Sequence, residues 1–354
     1  MTDDWLLVET LGAEPAVVAE GQQTKPMVPI SAYLRRNSNL MAIQSAIGET
    51  IRAGLPLTSI TPKSDRVIRT EVVQMTDGRI HGVHVWAGSP DADPPDRMIP
   101  GPLKWDLTNG TATDTMESLA NSGRNPAAEA TYGRAFADDL QTRKLNPNEA
   151  KVITALIPPE PGQTFTSTWD MTDFRGRPIT VGFAARVLTE TDEDGSDRLI
   201  CRAMNWRAVR DTSSATPFEA SQRIINGPPE PGEYRAMVDL NSWKLIKWLD
   251  ETCPFFDWSG LEVPVSVVHP DEIAEMAVMT AEFASGPTSR VLRLRANDGG
   301  WTPVHVTTHR LEVADDTFAG LLSLRLPTDD ELREAERRYA EEDKETTAGP
   351  TDES

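Results

Sequence analysis

Five histidines hold most of this chain's capacity for metal binding and for acid–base chemistry near neutral pH: His81, His84, His269, His305 and His309. The odd spacing of His81 and His84 would turn them to opposite sides of a regular strand. His305 and His309 would share a strand face with Cα atoms about 13 Å apart, too far for easy chelation of one metal, so both read as ordinary strand residues. His269 lies in Val268-His269-Pro270-Asp271-Glu272. There it reads as a loop residue before a helix whose N-terminus carries Pro270, Asp271 and Glu272, with haem ligation as the alternative role. Cys201, between Ile200 and Arg202, reads as a small strand residue, and Cys253, before Pro254, stands in a loop where a reactive thiol has room. Two cysteines so far apart make neither a disulfide framework nor a zinc cluster.

The sequence lacks the motifs that do catalytic work in familiar ways. There is no G-x-x-x-x-G-K-S/T loop for phosphates, no G-x-G-x-x-G for a dinucleotide, no G-x-S-x-G elbow, no H-E-x-x-H and no set of protein-kinase motifs. No catalytic residue, metal or cofactor is therefore expected, and the chain reads as no enzyme. A site assembled from scattered carboxylates is the enzyme class this pattern leaves open.

Charge narrows the partners. Fifty-five acidic against 35 basic residues give a formal charge of −20, which repels phosphate backbones and anionic membranes. No apolar run approaches the ~20 residues of a membrane span, and Thr2-Asp3-Asp4-Trp5 lacks the start of a secretory signal. A cytoplasmic protein is expected, with neither nucleic acid nor membrane as partner.

The elements that must position these residues recur three times as an Asp-containing turn between alternating strand patterns. Arg66 to Met75 and Ile80 to Trp86 flank Thr76-Asp77-Gly78-Arg79, with Leu103 to Leu107 beyond. Phe165 to Met171 and Ile179 to Leu188 flank Thr172 to Arg177, followed by Leu199 to Trp206. Arg290 to Ala296 and Thr302 to Val313 flank Asn297-Asp298-Gly299-Gly300, followed by Leu321 to Leu326. The first unit opens with Trp5 to Leu11 and Ala16 to Ala19, and Asn39 to Ala53 has the i, i+3, i+4 apolar recurrence of a helix ended by Gly54. Helix is expected around Met116 and Leu119, capped by Thr113 or Asp114, over Pro126 to Leu145, and over Asn148 to Ile157. The third unit opens with Tyr234 to Leu240 and Trp243 to Leu249, then a helix from Asp271 to Ala284 with Ile273, Met276, Ala277 and Phe283 available for a buried face. Pro-Pro-Glu-Pro-Gly occurs at both 158–162 and 228–232, a stiff connector into a new sheet.

The expected class is α+β in three domains, 1–110, 111–227 and 228–328, followed by a tail, 329–354. The tail's acid-first charge order suits a helix dipole. Its few apolar residues predict an exposed, fraying helix, with Glu331 to Ser354 dispensable for folding. Most of the nine tryptophans should fill cores or interfaces, and a few can line a pocket. In the third unit that pocket would lie between the helix at Ile273 and Met276 and the strands at Leu292, Leu294, Val304 and Val306.

Two strands, helices and three antiparallel strands is the chain order of a PAS domain, and His269 to Glu272 with Asn297 to Trp301 resemble PAS sequences directly. Asp4 to Gly12, Val83-His84-Val85-Trp86 and Pro228 to Leu249 resemble the actinobacterial triple sensor-domain family over nearly the whole chain. That resemblance implies one GAF and two PAS domains without an output domain, hence a cytosolic sensor or scaffold that binds a small ligand, a signalling protein, or both. The middle unit, lacking an evident opening hairpin, is the GAF-like candidate. No ligand residues carry over, and neither cysteine has the Asn-Cys-Arg-Phe context of flavin photochemistry. A structural adaptor with filled cores is the other non-enzymatic reading. With a formal charge of −20, the protein should show no submicromolar binding to random duplex DNA in a mobility-shift assay at physiological salt.

Overall fold

A computed structural model describes residues 4–61, 65–136, 159–192, 194–209, 229–240, 243–255, 267–283, 286–314 and 317–347. The first sheet contains β1 (Leu6–Glu9), β2 (Ala16–Glu20), β3 (Gln23–Pro29), β4 (Leu57–Ile60), β5 (Val67–Gln74) and β6 (Ile80–Gly88), in the order β3-β2-β1-β6-β5-β4. Between β3 and β4 run α1 (Ile30–Tyr33) and α2 (Leu40–Ala53). α2 has the expected apolar spacing and lays Ile43, Ala46 and Ile47 on Leu6, Val8, Val83 and Val85 of the sheet. Gly54, at φ 64°, closes it in the left-handed cap that glycine adopts without a Cβ clash.

The second sheet contains β7 (Gly101–Asp106), β8 (Thr111–Asp114), β9 (Arg134–Ala135), β10 (Thr164–Thr172), β11 (Pro178–Thr191) and β12 (Asp197–Arg207), in the order β10-β11-β12-β7-β8-β9. Here the structure corrects the sequence reading. Leu103 to Leu107 does not extend the first sheet; β7 pairs with β12, from Ile200 opposite Asp106 to Asn205 opposite Gly101. Asn109-Gly110 is a hairpin turn joining β7 to β8, with the Asp106 carboxylate accepting from the Asn109 amide at 2.9 Å and from its Nδ2 at 2.7 Å. The line drawn at residue 110 falls inside this hairpin, and the middle domain does have an opening hairpin. α3 (Met116–Asn121) is capped by Thr115, which accepts from the Ser118 amide at 3.2 Å. Residues 126–136, expected as helix, are turns and β9. The rest of that stretch and Asn148 to Ile157 lie outside the described residues.

The third sheet contains β13 (Tyr234–Val238), β14 (Leu245–Trp248), β15 (Thr288–Arg295), β16 (Trp301–Ala314) and β17 (Thr317–Arg325), ordered β14-β13-β17-β16-β15. A 3-10 turn (Pro270–Glu272) leads into α4 (Ile273–Glu282), and α5 (Asp329–Thr347) follows β17. With β3 and β9 set aside as additions, all three sheets share one order within their domains: second, first, fifth, fourth, third. The opening strand sits centrally because it pairs with its hairpin partner on one side and the closing strand on the other.

The first two sheets belong to one compact unit and the third to another. Within the first unit the sheets pack back to back. Leu7, Val18, Ala19 and Val73 of the first meet Ala184, Met204 and Trp206 of the second. Side chains alternate along strands, so this seam leaves α2 on the far face of one sheet and Phe183, Trp169 and Trp105 on the far face of the other.

The tail departs from expectation. Thr328 and Glu331 form a reciprocal capping box: the Glu331 carboxylate accepts from the Thr328 amide at 2.7 Å, and the Thr328 hydroxyl accepts from the Glu331 amide at 3.4 Å. Glu331 also receives both Arg325 guanidinium nitrogens, at 2.6 and 2.9 Å, and Ala335 is buried. The start of α5 is therefore docked. Glu331→Ala should lower the third domain's stability by about 1 kcal/mol, read as a lower melting temperature in a thermal scan.

Candidate functional site

In the third domain the sheet brings four of the six expected pocket residues together. Leu292 lies opposite Val304, Leu294 and Val306 flank that pair on the same face, and all four are buried. Met276 is half-buried, and Ile273 is 51% exposed, so it does not face the sheet. Ala277 is exposed too; Met279 and Phe283 supply the buried side of α4. Trp243 reaches that helix from the opening hairpin, its Nε1 donating to Thr280 Oγ1 at 2.8 Å and its ring 5.3 Å from Phe283.

The middle domain carries a more distinctive face. Every second residue of β10 and β11 points to it, and Phe183 stacks against Trp105, Trp169 and Phe165 with centroids 5.2, 5.2 and 5.7 Å away. Beside them Leu103, Asp114, Arg124, Trp169, Phe183 and Asn205 line a cavity of about 20 Å³, room for about one water. Its polar side is built from α3 and its neighbours. Asp114 accepts from Ser118 Oγ at 2.6 Å and pairs with Arg134, while Asn205 Nδ2 donates to the Ser118 carbonyl at 3.0 Å. The buried Trp169 Nε1 and Ser167 Oγ have no hydrogen-bond partner among the described residues. Stacked rings, a buried ion pair and an unmatched indole donor have the chemistry for a small planar molecule bearing an acceptor, which enters only if the rings part, since the closed cavity holds about one water. The alternation Phe165-Thr166-Ser167-Thr168-Trp169 was the available sequence signal; nothing in it placed the pocket here instead of in the third domain.

A third feature is the polar part of the seam. β5 and β6 shift register where Val73 pairs with Gly82 and Gln74 with Ile80, so His81 is the extra residue of a β-bulge. The bulge overturns the opposite-face expectation. His81 turns to the second sheet, its Nδ1 2.9 Å from the Ala203 carbonyl, and His84 pairs with Leu7 on that same side. A carbonyl only accepts, so Nδ1 carries the proton and Nε2 accepts from Arg202 Nη1 at 3.1 Å. Arg202 also donates to both Glu190 oxygens, at 2.6 and 2.8 Å, and lies 2.8 Å from Asp77. Burial pushes His81 down to about 4, with Arg202 adding to the effect, and burial with Arg97 pushes His84 down to about 3. Burial works against the charge on Asp77 and Glu190, yet the Arg79 amide and Arg202 hold Asp77, and Arg202 holds Glu190, below the usual carboxylate range. On the same seam Arg186 forks onto Glu9 at 2.9 and 3.0 Å, leaving Glu9 1% exposed.

Neither cysteine offers an exposed thiol. Both are buried, Cys253 included, and burial pushes the Cys201 thiol well up. Among the described residues no cluster of three or more metal-ligating side chains occurs, and no helix is long and apolar enough to cross a membrane. A seam this close tolerates little added volume: a Cβ on Gly82 would stand 2.6 Å from the Val8 carbonyl oxygen and 2.7 Å from Met204 Sδ. Gly82→Ala should destabilise the first unit by about 1–3 kcal/mol, measured by urea unfolding.

Three family models match the chain in sequence: Rv3651-like, N-terminal, at residues 4–96; Rv3651-like, middle domain, at 99–208; and Rv3651-like, C-terminal domain, at 218–335. A crystal structure of a Mycobacterium tuberculosis protein is 54% identical, covers 94% of this chain and 99% of its own, and superposes with a TM-score of 0.84. An RNA-binding light-oxygen-voltage receptor aligns at 10% identity over 69% of this chain and 100% of its own, with a TM-score of 0.25. The periplasmic sensory domain of the Campylobacter jejuni chemoreceptor Tlp1 aligns at 11% identity over 49% and 54%, with a TM-score of 0.19. At those scores neither bears on fold or function. No curated protein matches the chain. Three consecutive domain matches and the mycobacterial structure place the chain in the Rv3651-like family.

Proposed function

We propose that this protein is a sensor-type scaffold in which three PAS- or GAF-like domains integrate signals by binding, without turnover. The observation that carries the reading is the strand order shared by all three sheets, with helix between the second and third strands of each domain. That chain order is the one the family resemblance implies. The aromatic face of the middle domain is the binding surface, with Trp169 Nε1 as donor to the ligand and Trp105 and Phe183 as its stacking platform. A ligand acts by preferring one state of that domain and stabilises it by about 2.7 kcal/mol at a hundredfold excess over Kd. Signalling partners would be proteins, and the compartment the cytoplasm.

A small cavity and a packed third-domain face favour a second reading, an adaptor whose cores are already full. Native mass spectrometry of the full chain purified from its own host separates the two. A retained small molecule, lost on Ser122→Trp in the wall of the middle-domain cavity with the far-ultraviolet circular dichroism unchanged, is the expected result. A ligand-free mass with the same thermal stability before and after that substitution would favour the adaptor. Hydrolase, cyclase or kinase turnover by the purified chain, abolished by Asp114→Asn, would overturn both.

A further inference from the structure

The two histidines of β6 sit in the seam between the first two sheets, and each is fully buried. His81 is fixed as the neutral tautomer by its two partners: the Ala203 carbonyl takes its Nδ1 proton, and a guanidinium N–H points at Nε2. A proton added at Nε2 would set N–H against N–H at 3.1 Å. His84 lies between the Trp5 ring, 5.9 Å away, and Arg97 Nη1, 3.4 Å from its Nδ1, and its Nε2 has no partner among the described residues.

Around His81 stand Arg202 and Glu190 from the second sheet, Asp77 and Arg79 from the β5–β6 turn, and Lys104 from β7, 3.8 Å from Asp77. Glu9, opposite Gly82, is already taken by Arg186. Around His84 stand Arg97 and its cross-strand neighbour Glu71, themselves 3.8 Å apart. Asp77 favours a charged His81, but its Oδ2 is engaged by Arg202 Nη1, the same nitrogen that donates to His81 Nε2.

We propose that this seam is a proton-gated joint: it stays closed while His81 and His84 are uncharged, and acid opens it by charging them in the separated state. The joint operates whether or not the middle domain binds a ligand, so it stands or falls apart from the functional reading above. A histidine buried neutral binds its proton more readily once exposed, so closure is fully favoured above about pH 6.5 and weakens as pH falls from there toward the depressed folded values. For His81, at about 4, and His84, at about 3, each contributes about a 30-fold rise in opening between about pH 7.5 and pH 5, roughly a thousandfold together.

Hydroxyl-radical footprinting of the full chain reads this opening on the seam side chains Met204 and Trp206, which are buried while the sheets are closed. The expected result is faster oxidation of both at pH 5 than at pH 7.5, rising toward that factor, with Ile47 of α2 unchanged, and a flat response in His81→Gln/His84→Gln. Seam oxidation that does not change with pH in the wild-type chain would overturn the proposal, as would an equal acid response in the double variant. Should the double variant not fold, proton NMR titration of the wild-type histidines decides: midpoints of both seam histidines near 6.5 with the seam side chains still protected would sink it, and midpoints well below that with acid-accelerated oxidation would sustain it.

Discussion

Arg202 is the constraint around which the first unit is built. Its side chain is 5% exposed, and a guanidinium that buried needs a partner on each nitrogen for the two sheets to close over it. Glu190 from its own sheet takes two donors, Asp77 and His81 from the other sheet take the third nitrogen, and this fixes how one sheet lies on the next to within a hydrogen bond. A buried ion pair adds little net stability compared with apolar packing, but it penalises any slipped alignment by leaving a charge unmatched. The apolar part of the seam adds area without such discrimination: Leu7, Val18 and Ala19 would tolerate small slides against Ala184 and Met204.

Once the two sheet backs are committed to each other, only the far faces remain for binding. In the first domain that face is filled by α2, whose Ile43 and Ile47 sit among Leu6, Val8 and Val83. In the middle domain the same face carries flat rings around Phe183 and a polar cluster at Asp114, Ser118 and Asn205, with a cavity of about 20 Å³ beside them. The strand order is common to both, so the difference lies in what covers the face: α2 in one, rings and a polar cluster in the other. In such a repeat the chemistry available for binding therefore differs from face to face on one strand order.

Much of the fold was legible because Asp-Gly and Asn-Gly turns and period-two strands are local signals. Trp169 does face Val181 across the second hairpin, and Leu292 faces Val304 across the third. The same chemistry misled at Asn109-Gly110, since a turn between strands and a turn between domains use the same residues. Thr328-Asp329-Asp330-Glu331 is a capping box visible in the sequence, and charge composition wrongly outweighed it. The seam was not legible. Arg186 and Glu9 are 177 positions apart, and the bulge that turns His81 inward is specified by the pairing of β5 with β6, not by the residues of β6 alone. The candidate face of the middle domain was missed for the same reason: which side of a strand is free depends on what packs on the other.

β6 concentrates these demands in nine residues. It pairs with β1 and β5, supplies Val83 and Val85 to the helical core, presents His81 and His84 to the seam, and needs Gly82 where Met204 and the Val8 carbonyl approach. Removing the bulge to regularise the strand would return His81 to the helical side, place an imidazole in an aliphatic core and leave Arg202 with an unmatched donor. The apparent irregularity is thus what allows one strand to serve two cores of opposite character. Any change in the closed seam must register on β6, whose backbone is shared with the first domain's helical face.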